Sequence, residues 1–202
     1  MGNSGQSCNA PTRMLVPKSR HDEALKIAKS ALEKVKVGDP IDVNSDLGPL
    51  VSKNQFDKVQ KLIKKGIEEG ANLVAGGTGR PNGYDKGFYA KPTIFGNVSN
   101  QMVIAKEEIF GPVLAIIPYD DLEEAISIAN DTIYGLAAYI TGEDREKCLE
   151  ISRELRAGQI SINYGSSGPS APFGGYKQSG NGREKAEWGL TEFLEVKAIM
   201  SG

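Results

Sequence analysis

The chain has 202 residues, with 24 Lys and Arg against 26 Asp and Glu, so its formal net charge is −2. This near balance supplies no strong field for nucleic acid or an anionic membrane surface, and the length supports one large domain, or one with an appendage, whose core needs no staples. Two cysteines, Cys8 and Cys148, are too few for a disulfide framework. With neither a secretory leader nor an apolar stretch of membrane-spanning length, the expected setting is the cytoplasm. Glycine is enriched, 24 in 202 against an average of about 7%, and its clusters mark places of close approach or unusual backbone angles.

In chain order, Arg13-Met14-Leu15-Val16 reads as a short buried strand stopped by Pro17. Ser19 then caps a helix predicted to run to about Val35, with Asp22 and Glu23 suited to its first turn. A loop over 38–49 leads to a second helix, in which Ser52 and Gln55 form a capping-box pattern, Phe56, Val59, Leu62 and Ile63 form the apolar face, and Gly70 ends the run. A strand is expected at 71–75, a polar surface loop at 76–87, and an extended segment at 88–95.

The apolar run 113–117, bounded by Pro112 and Pro118, fits a strand buried on both faces. Asp121 and Glu124 cap the helix that follows it; a strand at 136–140, a helix at 143–155 and a strand at 159–163 come next. Alternating strand and helix predict an α/β fold in three layers, with a mostly parallel sheet between helices and with ligands at the carboxyl ends of the strands. A short helix near 183–188 and an isolated, protruding terminal strand at 192–199 break the alternation, and that strand needs a partner sheet.

Cys8 lies in the polar loop Asn3-Ser4-Gly5-Gln6-Ser7-Cys8-Asn9-Ala10 and is expected to be accessible, as an incidental thiol or as a reactive one. Cys148, on the apolar side of a helix, reads as packing. Glu107 and Glu108 stand beside Phe110 just ahead of the buried strand, where a carboxylate could meet a ligand. The run 172–180 is glycine-rich without the strand–turn–helix spacing of a phosphate loop, so a close-packed turn is expected there. His21 reads as a solvated surface residue, and no His, Cys and carboxylate cluster suggests a metal.

Three segments, Gly5-Gln6-Ser7-Cys8, 106–112 (Lys-Glu-Glu-Ile-Phe-Gly-Pro) and 171–180 with Gly182-Arg183-Glu184, resemble the aldehyde dehydrogenase superfamily in order and spacing. The ending Leu194-Glu195-Val196-Lys197 does so too. The resemblance is to the family's catalytic domain, here 1–180, followed by a terminal helix and oligomerisation strand, 181–202; the family's cofactor-binding domain has no counterpart.

The resemblance implies an NAD or NADP cofactor and an aldehyde substrate, with Cys8 as the nucleophile that forms a thiohemiacetal and then a thioester. It implies Glu108 as the carboxylate on the nicotinamide ribose and Phe110 as the ring beside the nicotinamide. Gln55 and Lys58 resemble a further pair near that ribose, although Gln55 serves equally well as the capping partner of Ser52. Phe173 resembles a wall of the substrate tunnel, and Gly2 and Ser167 stand where many relatives carry tunnel aromatics. The family's general base, a glutamate, and its oxyanion asparagine fall outside these 202 residues.

Two readings therefore stand. One is a catalytic domain whose dehydrogenase is completed by a missing cofactor-binding domain; the other is a naturally truncated, inactive assembly module. Either implies a homo-oligomer built through the terminal strand.

Overall fold

In the computed structural model, which describes residues 1–202, the first apolar run forms β1 (Arg13–Pro17). A single 3-10 turn, Lys18–Arg20, separates it from α1 (His21–Leu32). The next helix, α2 (Lys53–Glu68), starts where expected: the Ser52 hydroxyl accepts the Gln55 N–H at 3.2 Å, and Gly70 at φ 89° follows its end. β2 (Asn72–Ala75) and β3 (Thr93–Gly96) are joined by the long polar loop. α3 (Val103–Lys106) is a single turn ahead of β4 (Val113–Tyr119), and α4 (Leu122–Asn130) follows with Asp121 accepting the Glu124 N–H.

These elements make one compact unit, Met1–Asp131. Its sheet has the order β1-β4-β3-β2, with β1, β4 and β3 mutually parallel and β2 antiparallel at the edge. β4 carries the core because its side chains alternate between the two faces. Val113, Ala115 and Ile117 meet Phe56, Val59, Leu62 and Ile63 of α2 with Ile104 and Ala105 of α3. Leu114 and Ile116 meet Val16, Ile94 and the Ala24, Leu25, Ala28, Leu32 stripe of α1. Helices thus cover both faces, and each fully buried side chain contributes roughly 1.5–3 kcal/mol.

The second unit is Thr132–Gly202. It holds β5 (Ala137–Ile140), α5 (Arg145–Glu154) and β6 (Gln159–Ile162), a parallel strand–helix–strand unit, and then α6 (Ala186–Thr191). Asp144 caps α5 by accepting the Lys147 N–H at 3.0 Å, and Cys148 is buried on its inner side as expected.

Several expectations need correction. Within the extended segment 88–95 only residues from Thr93 join the sheet as β3, while the Phe88 carbonyl accepts the Leu50 N–H at 2.9 Å. β4 runs on through Pro118, which the missing N–H permits because the pairing of β3 stops at Ala115. α6 starts later than residue 183: the Glu184 backbone is committed to a two-bond bridge with Phe173, and Lys185 and Ala186 are left-handed, with φ 71° and 51°. Residues 192–202 leave α6 exposed and make no ladder within the chain, because a strand without a partner has nothing to bond.

His21 is buried, only 4% exposed, not a solvated surface group. It is the first member of the inward stripe His21, Leu25, Ala28, Leu32, and its Nε2 accepts the Asn97 N–H at 3.2 Å. No helix is long and apolar enough to cross a membrane.

Candidate active site

Residues 3–5 take a backbone path that L-residues avoid. Asn3 and Ser4 are left-handed at φ 51° and 54°, and Gly5 follows at 74°. Each non-glycine in that region costs on the order of 1–3 kcal/mol and survives only where its surroundings over-determine it. Here they do. Ser4, buried, donates its hydroxyl to the Gly48 carbonyl at 2.7 Å, and the Asn3 amide donates to the Gln6 carbonyl at 2.9 Å. Gln6 reaches the Pro49 carbonyl and accepts the Val51 N–H at 2.8 Å. Glycine is required at position 5, since a Cβ there would run into the Gly111 carbonyl.

This strained turn presents Cys8. The thiol is exposed, and neither it nor the Cys8 N–H has a partner within the chain. The adjacent turn is closed by the Ala10 N–H donating to the Ser7 carbonyl at 3.0 Å.

Opposite Gly5 runs the loop 107–112. Phe110 is itself left-handed at φ 54°, and the loop is held from α2: Gln55 Nε2 donates to the carbonyls of Ile109 and Phe110 at 3.0 and 2.8 Å, and Lys58 Nζ to that of Glu108 at 2.6 Å. Ser52 does cap the helix through the Gln55 N–H, but the Gln55 side chain does not return to complete a capping box; it grips the loop. With these carbonyls pinned, the Glu108 carboxylate projects exposed and without a partner in the chain. An unpaired carboxylate is an acceptor set suited to vicinal hydroxyls.

Cys8, Gln55, Lys58, Glu108 and Phe110 therefore gather at the amino ends of β1 and β4, since both loops lead into those parallel strands. The general rule for open α/β sheets places ligands at the carboxyl ends. The sequence expectation followed that rule, whereas the loops carrying Cys8 and Glu108 precede their strands.

Beside them lies a polar network. Arg13, five residues beyond Cys8, donates to Asn100 Oδ1 and to the Ile128 carbonyl, both at 2.6 Å. Asn100 donates to Asp131 at 2.7 Å, and Lys106, two residues before Glu108, donates to the same carboxylate at 2.6 Å. The Lys106 hydrogen bond and charge hold the Asp131 carboxyl below the usual aspartate range, while burial pushes the Arg13 guanidinium down.

Phe173 and Ser167 belong to the second unit. Phe173 lines an apolar cleft of about 640 Å³ with Leu136, Leu190 and Phe193, and the Lys185 ammonium sits 5.4 Å from its ring centre. Gly174 packs so close that a Cβ would meet the Gly182 carbonyl, which makes the glycine-rich stretch a close-packed turn. Ser167 is exposed in a loop anchored at its base, where Asn163 exchanges two hydrogen bonds with the Gly142 backbone at 2.8 and 2.9 Å.

The anchors Ser4, Gln6, Lys106, Asp131 and Asn163 have no sequence signal of their own as site residues. Their partners lie tens of residues away, so only folding reveals them. A left-handed turn is hinted at by Asn3, Ser4 and Gly5 in a row.

Known proteins resemble this chain along nearly all of its length. The model of the aldehyde dehydrogenase family matches residues 1–199. A Staphylococcus haemolyticus protein named for aldehyde dehydrogenase is 54% identical over 199 residues, covering 98% of this chain and 42% of its own length. Among solved structures, a mutant of aldehyde dehydrogenase C from Pseudomonas syringae, complexed with NAD+ and octanal, is 51% identical with a TM-score of 0.95. It covers 97% of this chain and 40% of that one. Mycobacterium tuberculosis aldehyde dehydrogenase complexed with NAD+ is 50% identical with a TM-score of 0.92, covering 95% and 40%. The chain thus spans about two-fifths of the relatives it matches. With one family model running along nearly all of its length and the same fold at half identity, the chain belongs to the aldehyde dehydrogenase family.

Proposed function

We propose that the chain supplies the nucleophile and the nicotinamide-side contacts of an NAD(P)-dependent aldehyde dehydrogenase that oxidises an aldehyde to a carboxylic acid. The observation that carries this reading is an exposed, unpartnered Cys8 on a strained turn, locked by the Gly5–Gly111 approach to a loop that projects an unpaired Glu108.

The Cys8 thiolate attacks the aldehyde carbon, and the resulting oxyanion takes a hydrogen bond from the free Cys8 N–H. Sulfur suits the step as a strong nucleophile near neutral pH that later leaves as thiolate. Loss of hydride from the thiohemiacetal carbon leaves a thioester on Cys8, and water then releases the acid and restores the thiol. The nicotinamide, when bound, supplies the hydride acceptor. Glu108 would hold it by accepting from the ribose hydroxyls and Phe110 would stand beside the ring, while Gln55 and Lys58 hold the loop that presents both. Phe173 and Ser167 are assigned to aldehyde binding on the family resemblance.

The base for thioester hydrolysis and a second oxyanion donor come, on this reading, from the part of the relatives that this chain does not span. In the same reading residues 1–180 form the catalytic part and 181–202 a subunit-pairing appendage, and the protein works in the cytoplasm, where both cysteines stay thiols.

The test is the polypeptide containing this chain, captured from its source cells with an antibody to residues 1–202 and assayed for NADH and NADPH formation with a panel of aldehydes. Turnover is expected, and Cys8→Ser lowers kcat on the order of 10,000-fold or more. A wild type inert with both cofactors, or an active Cys8→Ser enzyme, overturns the reading; an inert protein with intact oligomers would instead mark an assembly module.

A further inference from the structure

The two halves of the candidate site are held by one rigid element, and Gln6 is the link between that element and the nucleophile. Its side-chain amide is used three ways: Nε2 donates to the Asn3 carbonyl at 3.3 Å and the Pro49 carbonyl at 3.4 Å, and Oε1 accepts the Val51 N–H at 2.8 Å. Val51 immediately precedes Ser52, the cap of α2. From the first two turns of that helix, Gln55 and Lys58 hold the carbonyls of Glu108, Ile109 and Phe110. α2 is itself immobilised by Val59 and Ile63, which are fully buried.

We propose that Gln6 is a positioning residue: it fixes the strained turn that presents Cys8 to the helix that also fixes Glu108 and Phe110, and so sets the thiol in register with that loop. Gln6 touches no reacting atom and acts through the backbone of residues 3–8. The amide is needed as such, because the site asks for two donors and one acceptor from a single side chain. A carboxylate keeps the bond from Val51 but opposes two carbonyl oxygens, and alanine keeps nothing. This inference rests on the reading of Cys8 as the nucleophile, yet its test does not require turnover.

The experiment measures the second-order rate constant for carboxamidomethylation at Cys8, read by mass spectrometry so that Cys148 is counted separately. It uses the 202-residue chain, its Gln6→Ala and Gln6→Glu variants, and a free peptide of residues 3–13, across pH 6 to 10. The held turn is expected to set the wild-type rate at least about threefold apart from the peptide. Gln6→Ala should bring rate and pH profile onto the peptide's, Gln6→Glu should fall between, and circular dichroism should stay native for both.

A wild-type rate equal to the peptide's, or folded variants that keep the wild-type rate, overturns the proposal. Should Gln6→Ala fail to fold, the isosteric Gln6→Glu decides by the same comparison. In the active enzyme Gln6→Ala lowers kcat and leaves the KM for the cofactor, which Glu108 holds, within about twofold. A wild type without dehydrogenase activity defeats the functional reading alone and leaves the alkylation comparison to stand or fall separately.

Discussion

Gln55 shows how a residue's role changes once its partners are known. In the sequence it divides between capping α2 and touching a cofactor; in the fold its backbone satisfies the cap and its amide secures the Ile109 and Phe110 carbonyls. Asp131 is the reverse case, a plain helix-end aspartate in the sequence that gathers Lys106 and Asn100 in the structure. Its carboxyl titrates below the unfolded value, so it stabilises the folded state above the ordinary aspartate range, and that contribution disappears as pH falls through the folded value. Asp131→Asn should therefore flatten the acid side of the stability-versus-pH curve below about pH 4, as measured by urea unfolding from pH 2.5 to 7. An unchanged acid limb would contradict it. His21 is readable in principle, because its spacing to Leu25, Ala28 and Leu32 places it on the inward face of α1, whereas its place beside Asp22 at the helix start points to solvent.

The elements that packing and capping both specify are those the sequence places well. α2 has a serine cap, an unbroken 3.6-residue stripe and a glycine stop, and all three operate as read. Replacing Ser52 by Ala leaves the Gln55 N–H without its acceptor and should cost about 1 kcal/mol, seen as a lower urea midpoint at unchanged slope. Because Ser52 stands between Val51 and Gln55, Cys8 alkylation should shift with it; a stability loss with no change at Cys8 would argue that the helix end is not coupled to that thiol. β4 is equally legible, since an apolar run with no polar alternation must be buried on both faces. α3 escapes because four residues carry no period, and residues 192–199 read as a strand on composition but pair with no strand of the chain.

At the scale of the molecule, the division at Asp131 and Thr132 has no announcing linker, since no proline- or glycine-rich stretch marks it. Phe193, Val196, Ile199 and Met200 stand 86–97% exposed at the end of the second unit. A cluster of that kind on a terminal segment is suited to extending a sheet in a second copy of the chain. Removing residues 193–202 is expected to lower the oligomeric state in sedimentation velocity while leaving the melting of Met1–Asp131 unaltered. A truncated chain of unchanged assembly would place the subunit contact elsewhere.

Local information decided a large share of this protein. Periodicity, caps and apolar runs determine the α/β alternation, and the three motifs around Cys8, Glu108 and Phe173 suffice to identify the family, because each depends on neighbours within a few residues. The site itself depended on tertiary structure. That the loops carrying Cys8 and Glu108 lie at the amino ends of β1 and β4, that Gly5 must face Gly111, that Gln6 bonds to the start of α2, and that Gln55 and Lys58 reach one loop from that helix are all consequences of contacts spanning more than forty residues of chain. No local propensity encodes such contacts; they arise when burying β4 on both faces forces α2 and its neighbouring loops together.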